Sequence, residues 1–309
     1  MLMTNTSVTF RQHHSTTFPG ALLATAGGIC WGLSGTMGQY LFTHENMDSR
    51  WLVPLRLGFA GLILLFYCIF KDGPRKTFGI WRSKRDARTL VIYGLAGVSC
   101  CQFLYFLTIQ LSTAGVGTIL QDFSPIMILL YTCVQKRRRP TARQLSAITL
   151  ALAGVALITT HGDFTTLSVS PAALVTGILS AVCVTIYNVT PGDLMDRYSV
   201  LLLQAWAFLM GSAAIFLIFH PWTFHYVPSA MGCFGVFFVV VVGNVLAFPL
   251  YIQGVKLIGP EKGILYGFSE PLTAAFLGTV LLGSPFTGWD ALGFALVFLM
   301  LFLISGKKA

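Results

Sequence analysis

Apolar residues along this 309-residue chain come in long unbroken blocks, not in strand alternation or the single stripe of a surface helix. A helix needs about 20 mostly apolar residues to cross a bilayer. Such runs lie near 20–42, 51–70, 89–110, 114–134, 143–160, 171–190, 199–219, 229–252, 262–282 and 288–305, and they predict ten transmembrane helices. The segments between them carry turn and stop residues: Asp72-Gly73-Pro74, Arg139-Pro140, Pro191-Gly192, His220-Pro221, Gly259-Pro260 and Gly283-Ser284-Pro285.

Two of these blocks repeat one another. Tyr105 to Pro125 reads YFLTIQLSTAGVGTILQDFSP, and Tyr251 to Pro271 reads YIQGVKLIGPEKGILYGFSEP. An offset of 146 residues superposes Tyr105 on Tyr251, Gly117 on Gly263 and Pro125 on Pro271 without a gap. The expected organisation is a polar cytoplasmic tail (1–18), a first repeat of five helices (19–160) and a second (170–306). An odd number of helices per repeat sends equivalent helices across the membrane in opposite senses. The fold expected is therefore an all-α membrane protein with ten helices in two inverted five-helix repeats, a plan that suits alternating access.

Charge bears this out at the level of loops. With the N-terminus inside, all but two of the 20 Lys and Arg residues fall in inner segments; the exceptions are Arg50, in an outer loop, and Arg56, within a span. That asymmetry predicts cytoplasmic termini. The basic 71–88 loop has as its counterpart 220–228, which holds no Lys or Arg, as inversion requires. The net charge of +9 is then a topology signal, and no nucleic-acid partner is expected. Only 10% of residues are charged, against roughly 25% in a soluble domain. The first apolar run is long enough to span, so no cleavable signal peptide is expected. The seven cysteines all lie in apolar runs and read as small packing residues, not a disulfide framework.

Ionisable residues inside the spans are Arg56, Asp122 and Glu270. A charge at the helix centre costs about 2.5–3.5 kcal/mol on insertion scales, which marks each as a functional candidate. At about 1.5 Å per residue, Arg56 lies roughly 9 Å and Asp122 roughly 12 Å below the outer edge, and Glu270 lies near the midplane. All three can meet in one central cavity. Thr118, Gln121, Asp122 and Pro125 share one helix face, as do Tyr266, Ser269, Glu270 and Thr273. Pro125 and Pro271 free the carbonyls of Gln121 and Gly267 beside those polar groups. In the repeat register Asp122 matches Phe268 and Glu270 matches Ser124, so the acids occupy different faces of corresponding helices. Asp122 either lines the cavity or pairs with Arg56; Glu270 has no evident basic partner within the membrane and reads as a cavity residue.

Other polar residues in spans are Ser34, Gln39, Gln102, Gln110, Asn188, Gln204, Asn244 and Gln253, for which interhelical hydrogen bonding is the default role. Trp31, Tyr105, Tyr187 and Tyr251 sit in mid-span, where they pack or enclose an apolar or cationic ligand. Gly28, Gly32, Gly35 and Gly38 give the first span a small-residue face for close packing or for gating. The six histidines fall in the N-terminal tail or loops, no metal site is expected, and no phosphate loop or dinucleotide fingerprint is present.

The chain resembles the EamA type of the drug/metabolite transporter superfamily. The likeness is carried by Cys30-Trp31-Gly32, Pro54-Leu55-Arg56, Ser124-Pro125, Ser269-Glu270-Pro271 and Leu281-Leu282-Gly283, in order along ten spans. Such families usually show a glutamate after the leucine–glycine, where this chain has Ser284, and Arg138 at the matching place in the first half. The resemblance implies ten helices, termini inside and a central cavity. It also implies substrates such as amino acids, other small metabolites or drug-like amines, often exported.

The expected function is secondary active transport of small polar or amphiphilic metabolites across a bacterial cytoplasmic (inner) membrane, with export favoured. An uptake carrier for a sugar, nucleotide conjugate or quaternary amine is the alternative. An enzyme or receptor is disfavoured by the lack of a His/Cys/Asp constellation in the spans, and a channel by the inverted halves. The candidate substrate-binding or proton-coupling residues are Glu270, Asp122, Arg56, Trp31, Tyr105, Gln121, Tyr187, Asn188, Tyr251, Tyr266 and Ser269; the candidate gating positions are Pro125, Pro271, Gly32 and Gly35. No cofactor is expected. The partners are a small-molecule substrate, the lipid bilayer and protons as the candidate coupling ion, with the protein a monomer or homodimer.

Overall fold

The structure is a computed structural model that describes residues 8–163, 168–192 and 194–305. The described residues form helices joined by short loops, with no strand among them. The long helices are α1 (Val8–Thr43), α2 (Ser49–Asp72), α3 (Lys84–Leu111), α4 (Ala114–Gln135), α5 (Ala142–Thr160), α6 (Pro171–Val189), α7 (Val200–Phe219), α8 (Ala230–Ile258), α9 (260–282) and α10 (Gly288–Ser305). Among the described residues, eight helices are long and apolar enough to cross a membrane: α2 to α8, and α9 from Leu265. The part of α1 between residues 20 and 42 is diluted by Gly, Ser and Thr, and the apolar stretch Gly288–Leu303 of α10 is short.

Helix ends follow local chemistry. Asp48, Ser83, Thr113, Thr141, Ser170, Ser199 and Ser229 cap the N-termini of α2 to α8, each accepting a backbone N–H of the first turn. Thr141 and Gln144 form a reciprocal capping box. Gly73, Gly259 and Gly283 end α2, α8 and α9 at positive φ, where a Cβ would be strained. Helix α1 begins at Val8, earlier than the apolar run suggests, because nothing in residues 8–19 forbids a helix and Pro19 is carried within it. Helix α3 likewise begins at Lys84, behind its Ser83 cap.

The outer faces are apolar. On α2, Phe59, Leu62, Ile63, Phe66 and Phe70 are exposed along one stripe, while Leu52, Val53, Leu57, Ala60 and Leu64 are buried on the other. Leu272, Phe276 and Val280 form a similar exposed line on α9. Stripes of this size facing outward suit hydrocarbon, not water. The chain is a multi-pass membrane protein.

The main packing pairs are α1 with α8, α3 with α6, α2 with α7, α5 with α10, and α4 with α9. Helix α1 also packs on α9, α6 on α4, α3 on α7 and α2 on α8. Exchanging each helix with the one five places away leaves this set unchanged. Three contacts lack a comparable counterpart. Helix α1 packs on α3 and α4 and α2 packs on α3, whereas among the described residues α6 makes no comparable contact with α8 or α9, nor α7 with α8.

Candidate functional site

Backbone irregularities recur at matching places in the two halves. Helix α4 breaks at Asp122 (φ −68°, ψ 0°) and Phe123, and α9 breaks at Phe268 (φ −66°, ψ −6°). Pro125 and Pro271 explain both: neither can donate to the carbonyl four residues back, so each helix loosens one turn before its proline. Helices α3 and α8 each contain a π-helical stretch, Ile92–Ser99 and Val239–Leu246. Stretches of this kind often occur at functional sites because they leave backbone and side chains out of helical register.

The three intramembrane charges lie around these irregularities. Glu270, half-buried just after the α9 break, accepts a hydrogen bond from the Tyr105 hydroxyl at 3.2 Å. Arg56 of α2 is only 2% exposed. Its guanidinium lies over the Phe106 ring at 3.8 Å, and its Nη2 donates to Oδ1 of Asn244, within the π-helical stretch of α8. Asp122 makes no ion pair with Arg56, and its Oδ2 finds no partner among the described residues. Of the two readings of Asp122, the pairing one is therefore not realised in this conformation. The reason is packing: α2 and α4 are not among the packed helix pairs, so the two charges share no helix interface.

The glycines of α1 shape this site. A Cβ on Gly32 would come within 2.6 Å of the Glu270 carbonyl oxygen, and one on Gly35 within 2.9 Å of the Tyr105 hydroxyl. Gly28 lies against Ser269 and the Gly267 carbonyl freed by Pro271. Ser269 donates to the Thr25 carbonyl at 2.8 Å, tying α9 to α1. Small residues thus let α1 ride directly on the α9 break.

The aromatics divide. Trp31 packs on Tyr251 (centroids 5.0 Å apart) and edge-on to Phe248 (6.2 Å), between α1 and α8. Tyr187 is half-buried against Gly97 of α3, beside Cys101 and Cys183. Gln121 accepts weakly from Cys101 Sγ and Ser180 Oγ, both at 3.4 Å. Tyr266 and Asn188 stand apart from the acids. Tyr266 is 38% exposed, and Asn188 is exposed with its amide donated to the Val184 carbonyl at 2.8 Å.

Several interactions escaped the sequence reading. Gln39 donates to Ser284 Oγ at 2.6 Å and accepts from the Ala114 amide at 2.7 Å, joining α1, α4 and the α9–α10 loop. A small, partly open cleft lies beside this junction and is lined by Gln39, Thr113, Ser284, Phe286 and Asp290 among others. His161 and Asp290 pair at 3.1 Å. Asp86, in a segment read as loop, is 3% exposed and takes both guanidinium branches of Arg197 at 2.7 and 2.8 Å. The Ser83-x-x-Asp86 spacing, a helix-start signature, was the available signal for placing Asp86 on α3.

A helical bundle with apolar outer faces, broken helices at its centre and charged groups gathered on the breaks defines the class: a membrane transporter. The comparisons agree. The chain belongs to the EamA-like transporter family, whose sequence pattern matches residues 18–160 and 171–306. It is 36% identical over 286 residues to the uncharacterized inner membrane transporter YicL of Salmonella typhimurium, covering 93% of this chain and 95% of that one. The uncharacterized transporter YyaM of Bacillus subtilis is 22% identical, covering 90% of each chain. A crystal structure of a protein 16% identical to this chain has a TM-score of 0.62 and covers 94% of this chain and 96% of that one, a likeness of fold alone.

Proposed function

We propose that the protein is a secondary carrier of small polar or amphiphilic metabolites, working by alternating access in the cytoplasmic membrane of a bacterium, with export favoured over uptake. The observation that carries this reading is Glu270. It sits at a helix break in the second half, and its hydrogen-bond partner, Tyr105, belongs to the first half. A carboxyl held there between the halves can exchange a proton or bind a cationic group while either half moves. Asp122, on the equivalent break of α4, supplies a second carboxyl without a partner for its Oδ2.

Alternating access draws support from the packing. The main helix pairings survive exchange of the halves, as two inverted five-helix repeats require. The α1–α4 contact, sealed by Gln39, lacks its α6–α9 counterpart. A carrier closed at one mouth and open at the other has this pattern. With both termini in the cytoplasm, as the Lys and Arg distribution favours, the open mouth faces inward.

The test uses proteoliposomes loaded with a pH-sensitive dye and challenged with amino acids, amines and short carboxylates. The cognate class should produce a solute-dependent pH change. Glu270→Gln should lower it tenfold or more, and Tyr105→Phe should lower it less. A Glu270→Gln signal equal to wild type, with the same pH dependence, removes Glu270 from the mechanism.

A further inference from the structure

We propose that Arg56, Asn244 and Ser34 form a subsite for a carboxylate on the transported solute. The proposal deepens the carrier reading and rests on it for the word transported, but the binding it asserts is separately measurable. The three residues come from α2, α8 and α1, and are 2%, 1% and 3% exposed. Their hydrogen-bonding capacity does not close on itself. Arg56 Nη2 takes the only side-chain acceptor of Asn244, which fixes the amide with its nitrogen turned away from the guanidinium. The described residues supply no acceptor for Arg56 Nε, Arg56 Nη1, Asn244 Nδ2 or Ser34 Oγ. All of these can donate, and two are on a cation.

A structural arginine would be expected to have an acid, as Arg197 has Asp86 in this same protein. Arg56 has none within ion-pair distance among the described residues: Glu270 is held by Tyr105, and Asp122 Oδ2 has no partner there. Holding a guanidinium in that state is costly unless an anion joins it during the working cycle. Gly243 keeps the place clear: a Cβ there would run into Ser34 Oγ and reach within 4.0 Å of Arg56 Nη2.

The body of the solute is indicated one helical turn away. Trp31 precedes Ser34 by three residues on α1, which puts the two on one face, and Phe248 follows Asn244 by four on α8. The helices run in opposite senses, which brings the two rings to the same side, and their centroids are 6.2 Å apart. A carboxylate attached to an aromatic or apolar body fits donors at one end and rings at the other. The donors are enclosed in this conformation, so entry accompanies opening of the bundle.

The test is binding to the full-length protein purified in detergent, with benzoate and phenylacetate each measured against its amide. Wild type should bind the acids at least tenfold more tightly than the amides. Asn244→Asp gives Arg56 an internal counter-ion. It should erase the preference without lowering thermal stability, which a loss through misfolding would not do. Equal binding of acid and amide, no binding of either, or a preference retained in Asn244→Asp would overturn the proposal. Preference without solute-driven flux in proteoliposomes would sink the carrier reading and leave the site; flux without preference would do the reverse.

Discussion

Gly32 and Gly35 of α1 lie one turn apart and answer to different neighbours, so substitutions there should separate packing from function. Alanine at 32 meets the Glu270 carbonyl oxygen and Thr273 Cβ, at 2.6 and 2.7 Å, and α1 and α9 must part. Overpacking of this kind costs about 1–3 kcal/mol, so Gly32→Ala should lower the thermal midpoint in detergent. Alanine at 35 meets only the end of the Tyr105 side chain closely, which can swing aside. Gly35→Ala should therefore leave the midpoint near wild type while weakening the Tyr105–Glu270 bond and transport with it. If the two variants lose stability equally, that division fails. Arg56, Asp122 and Glu270 stood out in the sequence because a charge in an apolar run is expensive wherever its helix turns. Their partners did not, since pairing depends on how three separate helices are rotated. Asn244 looked like one more interhelical polar residue and proved to be the contact of the buried arginine.

Helices were legible from apolar runs and the turn residues between them, and their breaks from Pro125 and Pro271. The π-helical stretches of α3 and α8 were not, because valine- and glycine-rich segments satisfy either helix geometry and packing selects between them. At the C-terminal end of α7, His220 adopts the left-handed conformation (φ 48°) that Gly283 takes at the end of α9. A non-glycine residue there costs about 1 kcal/mol, so His220→Gly should raise the thermal midpoint slightly. An unchanged or lower midpoint would mean that the edge contact of His220 with Trp222 outweighs the strain. On α3, Asp86→Asn removes the counter-charge of Arg197 and one of the two oxygens that Arg197 and the Tyr198 hydroxyl share. Its expected outcome is a lower midpoint, with Arg197→Lys intermediate; equal midpoints would reduce the pair to a solvated surface contact.

Taken whole, the bundle is held at one mouth by Gln39, which joins α1 to α4 and to Ser284 beyond α9. Cysteines at 39 and 284 in a background free of other thiols, bridged by a linker about one side chain long, should stop flux, and cleaving the linker should restore it. Flux that survives full cross-linking would show that this mouth need not open. The duplicated segments, the run lengths and the loop charges determined a helical membrane protein in two halves, since each of these follows from what a bilayer tolerates residue by residue. Which carboxyl meets which hydroxyl, and that Arg56 is left without an acid, only the tertiary structure decided. Those facts depend on the phase and tilt of helices far apart in the chain, and a sequence read along its length holds no record of either.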